Sequence, residues 1–194
     1  MPAARELSVQ MGVSRPVISA GLIELEKLGF VEIRPRQGAY VCDYRRKGTI
    51  ETLIAIMRYN GGIMRADEEY SLLDVRIALE TLCIKNVIRN ATDDELDRLQ
   101  PILDALAQAV QPQDAAEATY HFHHELAVIS GNMLLPLLYH SFKAASIYLW
   151  TRYCRETSCQ NLYEIKLQLF RALLNRNLKE ALRLTPGEFP VLEQ

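Results

Sequence analysis

From Pro2 to Cys42 the chain spells two short helices and then two short alternating runs, with no room for anything else between them, and that order leaves few folds open. Pro2 suits a helix start and Gly12 a helix stop, which predicts one helix over residues 2–12. After a tight turn, Ser14 is placed to cap a second helix through its hydroxyl, with Arg15 and Pro16 in the first turn, where a proline's missing donor is tolerated. Ile18, Leu22, Leu25 and Leu28 repeat at helical spacing and predict a buried stripe, which leaves Ser14, Arg15 and Ser19 on the outer face near the N-terminal end. Gly29 closes this helix. Residues 30–34 and 39–42 alternate as strands do, with Val31 and Ile33 to one side and Glu32 and Arg34 to the other. Pro35, Arg36, Gln37 and Gly38 between them carry turn chemistry and put a cation at the tip.

Two helices, a short turn and a charged hairpin make a winged helix-turn-helix. In such a unit the second helix presents its N-terminal side chains to the major groove of DNA. Arginine forks suit guanine edges or phosphates, Ser14 and backbone amides suit phosphates, and the hairpin tip can reach a neighbouring groove. Charge agrees. Residues 1–48 hold eight basic side chains against five acidic ones, while the remaining residues hold 14 basic and 19 acidic, so an overall charge of −2 hides a basic module joined to an acidic one. That asymmetry points to a polyanionic partner for the first module, although a fluctuation in so small a count would look the same.

The run RELSVQMGVSRPVISAGLIELEKLGFVEIRPRQGAYV resembles the DNA-binding half of the GntR family of bacterial transcription regulators, over about forty residues in register. There a proline-led RELA helix, a VSR turn, a LEKLG helix end and an RPRxGxYV-like wing recur in this order. The resemblance implies operator binding by a homodimer, with contacts at Arg5, Ser14, Arg15, Arg34, Arg36, Gln37 and Gly38, and with Ser19 on the same presented face. Two departures follow from the same comparison. The family's additional helix ahead of the proline-led segment has no counterpart after Met1, and Ser19-Ala20 stands where an Arg-Glu pair is frequent, which predicts an altered operator or weaker binding.

Residues 44–48, polar and basic, read as a linker between a domain over 1–43 and an all-helical one over 49–194. Helical periodicity is predicted over 49–59, 67–90, 93–110, 114–131, 133–156, 160–176 and 178–185, a mainly α chain ending in a bundle of six to seven helices. Thr92 and Glu95 make a capping box, and Gly131 a stop. The second module is similar to the C-terminal effector domain of the FadR subgroup, through SLLDVRIALE, FHHELAVISGN and, less closely, RALLNRNLKEAL. This implies a bundle that encloses a small carboxylate or acyl ligand, acyl-CoA included, and controls the spacing of two winged domains. Many members hold a divalent metal with one aspartate and three histidines. Here His123 falls on the first histidine, but Thr119, Lys166 and Glu188 take the other positions, so no metal is expected. Around a helix His123 lies about 100 degrees from His124 and about 160 degrees from His121, so the three do not converge on one ion.

Arg76 shares a helical face with Leu72, Leu79 and Cys83, so a stripe expected to be buried contains a cation. A buried guanidinium is costly without a partner. Either Glu80, one turn on, is that partner, or the carboxylate or phosphate of a ligand is. Thr119, Tyr120, His123, Tyr148, Tyr153 and Lys166 complete the expected ligand set, the tyrosines as groups that join a donor to apolar surface, though tyrosines are also ordinary core residues.

No apolar run approaches the ~18 residues that span a bilayer, and no signal peptide is evident, so a cytoplasmic protein is expected. Four cysteines without CxxC spacing are expected as free thiols rather than a zinc site. There is no nucleophile elbow, phosphate loop or HExxH, and an enzyme is not expected. The other class of function the residues allow is a small-molecule sensor whose winged domain no longer binds DNA.

Overall fold

The computed structural model describes residues 1–63 and 65–185. They form two compact units that divide between Tyr59 and Asn60.

The first unit runs α1 (Ala4–Met11), α2 (Arg15–Lys27), β1 (Val31–Arg34), β2 (Gly38–Val41), α3 (Tyr44–Lys47) and α4 (Ile50–Arg58). Its helix ends are local chemistry. The Ala3 amide donates to Glu6 Oε2 at 3.2 Å, which satisfies one of the orphan donors at the start of α1. Gly12 ends that helix with φ 65. Ser14 does occupy the N-cap of α2, but its hydroxyl makes no capping hydrogen bond; the backbone carbonyl of Ser14 begins the helix instead, accepting from the Ile18 amide. At the other end the Gly29 amide donates to the Glu26 carbonyl and the Phe30 amide to the Leu25 carbonyl, with Gly29 at φ 75, a Schellman motif.

The predicted stripe on α2 is only partly buried: Ile18 is covered, Leu22 and Leu28 are half-buried, and Leu25 is 38% exposed. The two strands are antiparallel, pairing Val31 with Val41 and Arg34 with Gly38. The tip is closed by the Gln37 amide donating to the Arg34 carbonyl at 3.0 Å, with Arg36 at φ 65, the left-handed position that a glycine would occupy without strain.

The residues after the wing are not an extended linker. Asp43 caps α3, and α4 is pinned to the end of α2 by the Thr52 hydroxyl, which donates to the Leu28 carbonyl at 2.6 Å. Thr52 and Met57 are buried there. So α4, which periodicity alone assigned to the helical domain beginning at residue 49, belongs to the first unit.

The second unit holds α5 (Ala66–Asn90), α6 (Asp93–Leu96), α7 (Gln100–Gln108), α8 (Pro112–Ile129), α9 (Leu135–Ser141), α10 (Lys143–Glu156), α11 (Cys159–Leu174) and α12 (Leu178–Leu184). Thr92 and Glu95 form the expected capping box of α6, and Gly131 ends the segment after α8 at φ 71. Two stretches predicted as single helices are split. Residues 97–99 form a 3₁₀ turn ahead of Pro101, and Phe142 at φ −92, ψ 5 breaks α9 from α10. The apolar spacing runs through both breaks, because Leu96, Leu99 and Leu103 across the first and Leu135, Tyr139, Phe142, Ala145 and Leu149 across the second are all buried. Periodicity registers which face is covered, and a kink leaves that face intact.

The central helix is α8, packed against α5, α7, α9, α10 and α11. It divides the interior into two apolar clusters, one with Ile84, Leu99, Phe122 and Leu173, the other with Leu106, Trp150 and Leu162.

Candidate functional site

On the winged unit, Arg5, Ser14, Arg15, Ser19, Arg34, Arg36, Gln37 and Gly38 are all exposed. Arg15 opens α2 and Ser19 lies one turn further along it, while Arg36 stands at the hairpin tip. A helix start with no side-chain cap presents amide donors together with the positive end of the helix dipole, a combination that suits phosphate. Ser19, Gln37 and Gly38 come together along one groove of about 390 Å³, which Leu22, Ile23 and Ile33 also line. Arg34 is more committed to the protein: its Nε donates to Glu32 Oε1 at 2.8 Å and its guanidinium lies 4.6 Å from the Tyr40 ring centroid. Lys47 donates to the other oxygen of Glu32 at 2.8 Å. Hydrogen bonds from Arg34 and then Lys47 hold the Glu32 carboxyl down to about 2.

In the helical unit, α5, α8, α10 and α11 bury an unusual set of polar side chains between the two apolar clusters. Arg76 and Glu80 come from α5, Thr119 and His123 from α8, Lys166 from α11, and each is at most 3% exposed. The ring of Trp150 from α10 is their common surface. The Arg76 guanidinium carbon lies 4.2 Å from its centroid and Lys166 Nζ 5.5 Å. The His123 imidazole stacks on it at 5.0 Å and 11°, and on Tyr139 at 6.5 Å. His123 Nδ1 is 3.3 Å from Glu80 Oε1. Buried charge of this density is expensive and is retained where it orients groups or recognises a charged ligand.

The expected ligand set is therefore gathered unevenly. Arg76, His123 and Lys166 meet around Trp150. Thr119 is buried beside them but donates its hydroxyl to the Ala115 carbonyl of its own helix at 2.7 Å. The Tyr153 hydroxyl accepts from Asn161 Nδ2 at 2.7 Å, and the Tyr120 hydroxyl meets His140 Nδ1 at 3.1 Å, in a group with His121, His124 and Lys143. Tyr148 is half-exposed, with the Arg152 guanidinium 5.8 Å from its ring; Arg152 itself donates to both carboxylate oxygens of Glu69, at 2.8 and 2.9 Å. Trp150 and Tyr139 were not anticipated. The signal for Trp150 was present, since the chain's one tryptophan lies three residues before Tyr153 on an amphipathic stretch.

The residues present do not fit the divalent metal that many FadR-type domains hold. Thr119 offers a neutral hydroxyl already engaged with backbone, and Lys166 places an ammonium within the same buried group, where a second cation would be repelled. Among the described residues no three His, Cys, Asp or Glu side chains converge as metal ligands. Glu188 lies outside the described residues.

Comparison with known proteins decides the family. Residues 71–185 match the FCD domain, and residues 1–41 match the bacterial regulatory proteins of the gntR family. The chain is a gntR-family regulator with an FCD domain. The match over the winged unit does not favour a sensor that has lost its DNA-binding part. The regulator is 24% identical to the HTH-type transcriptional regulator LutR of Bacillus subtilis over 189 residues, covering 93% of this chain and 84% of that one. It is 31% identical to a fatty acid metabolism regulator protein of Shewanella denitrificans over 147 residues, 74% of this chain but only 58% of the relative. Among solved structures, the gntR-family fold is shared with Listeria monocytogenes Lar (TM-score 0.64, 15% identity, 98% of this chain and 83% of that one) and with Streptococcus agalactiae GntR (TM-score 0.53, 20% identity, 97% and 86%). Among the described residues no helix is long and apolar enough to cross a membrane.

Proposed function

We propose that this regulator acts in the cytoplasm as a homodimer on a palindromic operator, and that a small carboxylate or acyl molecule bound in its helical unit alters operator affinity. The observation that carries the effector half is the burial of Arg76 and Lys166 against the single ring of Trp150. Two cations held in low dielectric beside an aromatic face suit a ligand with an anionic head and an apolar body. Relatives named fatty acid metabolism regulator favour the acyl member of that class, as a free acid or a thioester of coenzyme A. Arg76, His123 and Lys166 would hold the head, and Thr119, Tyr120, Tyr148 and Tyr153 would contact the rest of the ligand.

The DNA half rests on the exposed face made by Arg5, Ser14, Arg15, Ser19, Arg34, Arg36, Gln37 and Gly38. Dimerisation sets the distance between two such faces, and a ligand that prefers one arrangement of them shifts affinity by linkage. The function is binding, with no bond made or broken. A mobility-shift assay should show salt-sensitive binding to a short palindrome, changed by added acyl-CoA or free fatty acid. Equal binding to every duplex, with or without those molecules, would refute it.

A further inference from the structure

We propose that Cys154 and Cys159 form a peroxide-oxidisable thiol pair that closes to a disulfide across the corner between α10 and α11. Cys154 is in the last turn and a half of α10 and is 5% exposed, whereas Cys159 is the first residue of α11 and is half-exposed. Both pack into the apolar cluster of Leu106, Trp150 and Leu162. Only five positions separate them, and the turn between them bends sharply: Thr157 has φ −117, ψ −95 and Ser158 is extended. The corner is held on either side of the pair. The Tyr153 hydroxyl accepts from Asn161 Nδ2 at 2.7 Å, the Ser158 hydroxyl accepts from the Asn161 amide at 3.0 Å, and the Cys159 thiol donates to the Val110 carbonyl at 3.7 Å. Cys83, by contrast, is 1% exposed on α5, and Cys42 belongs to the winged unit.

The unequal surroundings assign an order. Cys159 is the sulfur that solvent reaches. Its thiolate attacks a hydroperoxide oxygen, the O–O bond breaks, and the alcohol or water fragment leaves with the proton, which makes a sulfenic acid. The Cys154 sulfur then attacks the Cys159 sulfur, and hydroxide leaves with the Cys154 proton as water. Two thiols and one hydroperoxide thus become one disulfide, one alcohol and one water, with two electrons passed to the peroxide. Burial, followed by the charge and hydrogen bond of the neighbouring Cys159, pushes the Cys154 thiol up to about 12. Burial, the largest of these causes, keeps Cys154 the slower of the two thiols to meet peroxide, so Cys159 reacts first and Cys154 enters as the sulfur that closes the disulfide.

The chemistry stands apart from the operator and effector readings and is tested without either ligand. Trypsin cuts after Arg152, Arg155 and Lys166, which places Cys154 in the peptide 153–155 and Cys159 in the peptide 156–166. The full chain is treated with one equivalent of hydrogen peroxide, blocked with N-ethylmaleimide under denaturation and digested without reduction. The expected product is those two peptides joined with the loss of two hydrogens and separated by reductant, with Cys42 and Cys83 recovered as maleimide adducts. In Cys154→Ser a dimedone adduct should appear on the peptide 156–166 that the unaltered chain lacks. In Cys159→Ser, a change at a half-exposed position, the cross-link should vanish and Cys154 should stay a thiol. Dimedone trapping of Cys159 to the same extent in both chains, sulfonic acid at Cys159 with no cross-link, or oxidation of Cys154 in Cys159→Ser would overturn the proposal.

Discussion

The guanidinium carbon of Arg76 lies 4.2 Å from the ring centroid of Trp150, and both residues are almost wholly removed from solvent. Since Trp150 is the chain's only tryptophan, its emission reports on this one place. An acyl-CoA or fatty acid that binds beside Arg76 should shift or quench that emission in a saturable titration. Replacing Arg76 by Gln removes a charged donor worth about 1.5 to 3 kcal/mol, so the affinity should fall roughly ten- to hundredfold. An Arg76→Gln protein that remains folded and titrates as before would show that the ligand's head is held elsewhere.

Arg36 at the wing tip is held at φ 65, a conformation that costs a residue with a side chain about 1 kcal/mol and glycine almost nothing. Arg36→Gly should therefore leave the winged unit as stable as before or slightly more so. It should also weaken binding to duplex DNA and reduce the slope of log affinity against log salt by about one unit, as expected for one lost phosphate contact. Thermal melting and a salt series on a random duplex measure the two effects separately.

Gly29 combines φ 75 with a close neighbour: a Cβ there would stand 3.2 Å from Thr52 Oγ1. Gly29→Ala strains the backbone and crowds the hydroxyl that ties α4 to α2, and should destabilise the winged unit by about 1 to 2 kcal/mol in urea titration. Thr52→Val removes the donor to the Leu28 carbonyl and should cost about 1 to 2 kcal/mol on its own. The two losses should add incompletely, because the crowding half of the first acts on the hydroxyl that the second removes, while the backbone strain remains.

Burial, then the neighbouring His140, His121 and Lys143, holds His124 below the ordinary histidine range, while Glu125 pulls the other way. A histidine that protonates less readily when folded than when unfolded takes up more protons in the unfolded state, so its contribution is complete at neutral pH and declines as pH falls below about 6.5. Urea midpoints measured from pH 8 to 5 should decline across that window, and the decline should be shallower in His124→Asn. Parallel curves for the two proteins would place the titration on another group.

Much of the candidate site could be read along the chain because the relevant physics is local. Arg76 on the stripe with Leu72 and Cys83, the capping box of Thr92 and Glu95, and the cation between Pro35 and Gly38 all follow from spacing of three or four residues or from turn chemistry. What spacing could not supply were partners that arrive from other helices. Glu80 was considered for Arg76 because it is one turn away, yet its carboxylate also meets His123 Nδ1 from α8 at 3.3 Å. Tyr120 and Tyr148 share the composition of ligand-binding tyrosines, but only packing shows one joined to His140 and the other half-exposed under Arg152.

The order of residues by itself determined the winged module, the helical module and the family to which both belong, since helix periodicity, glycine stops and strand alternation act within a few residues of one another. Only the tertiary structure decided that α4 belongs with the winged unit, that Arg76, His123 and Lys166 share Trp150, and that Cys154 lies beside Cys159 at a bent corner. The reason is physical: such neighbours are chosen by which apolar faces close on each other, and burial then sets the cost of every charge trapped between them.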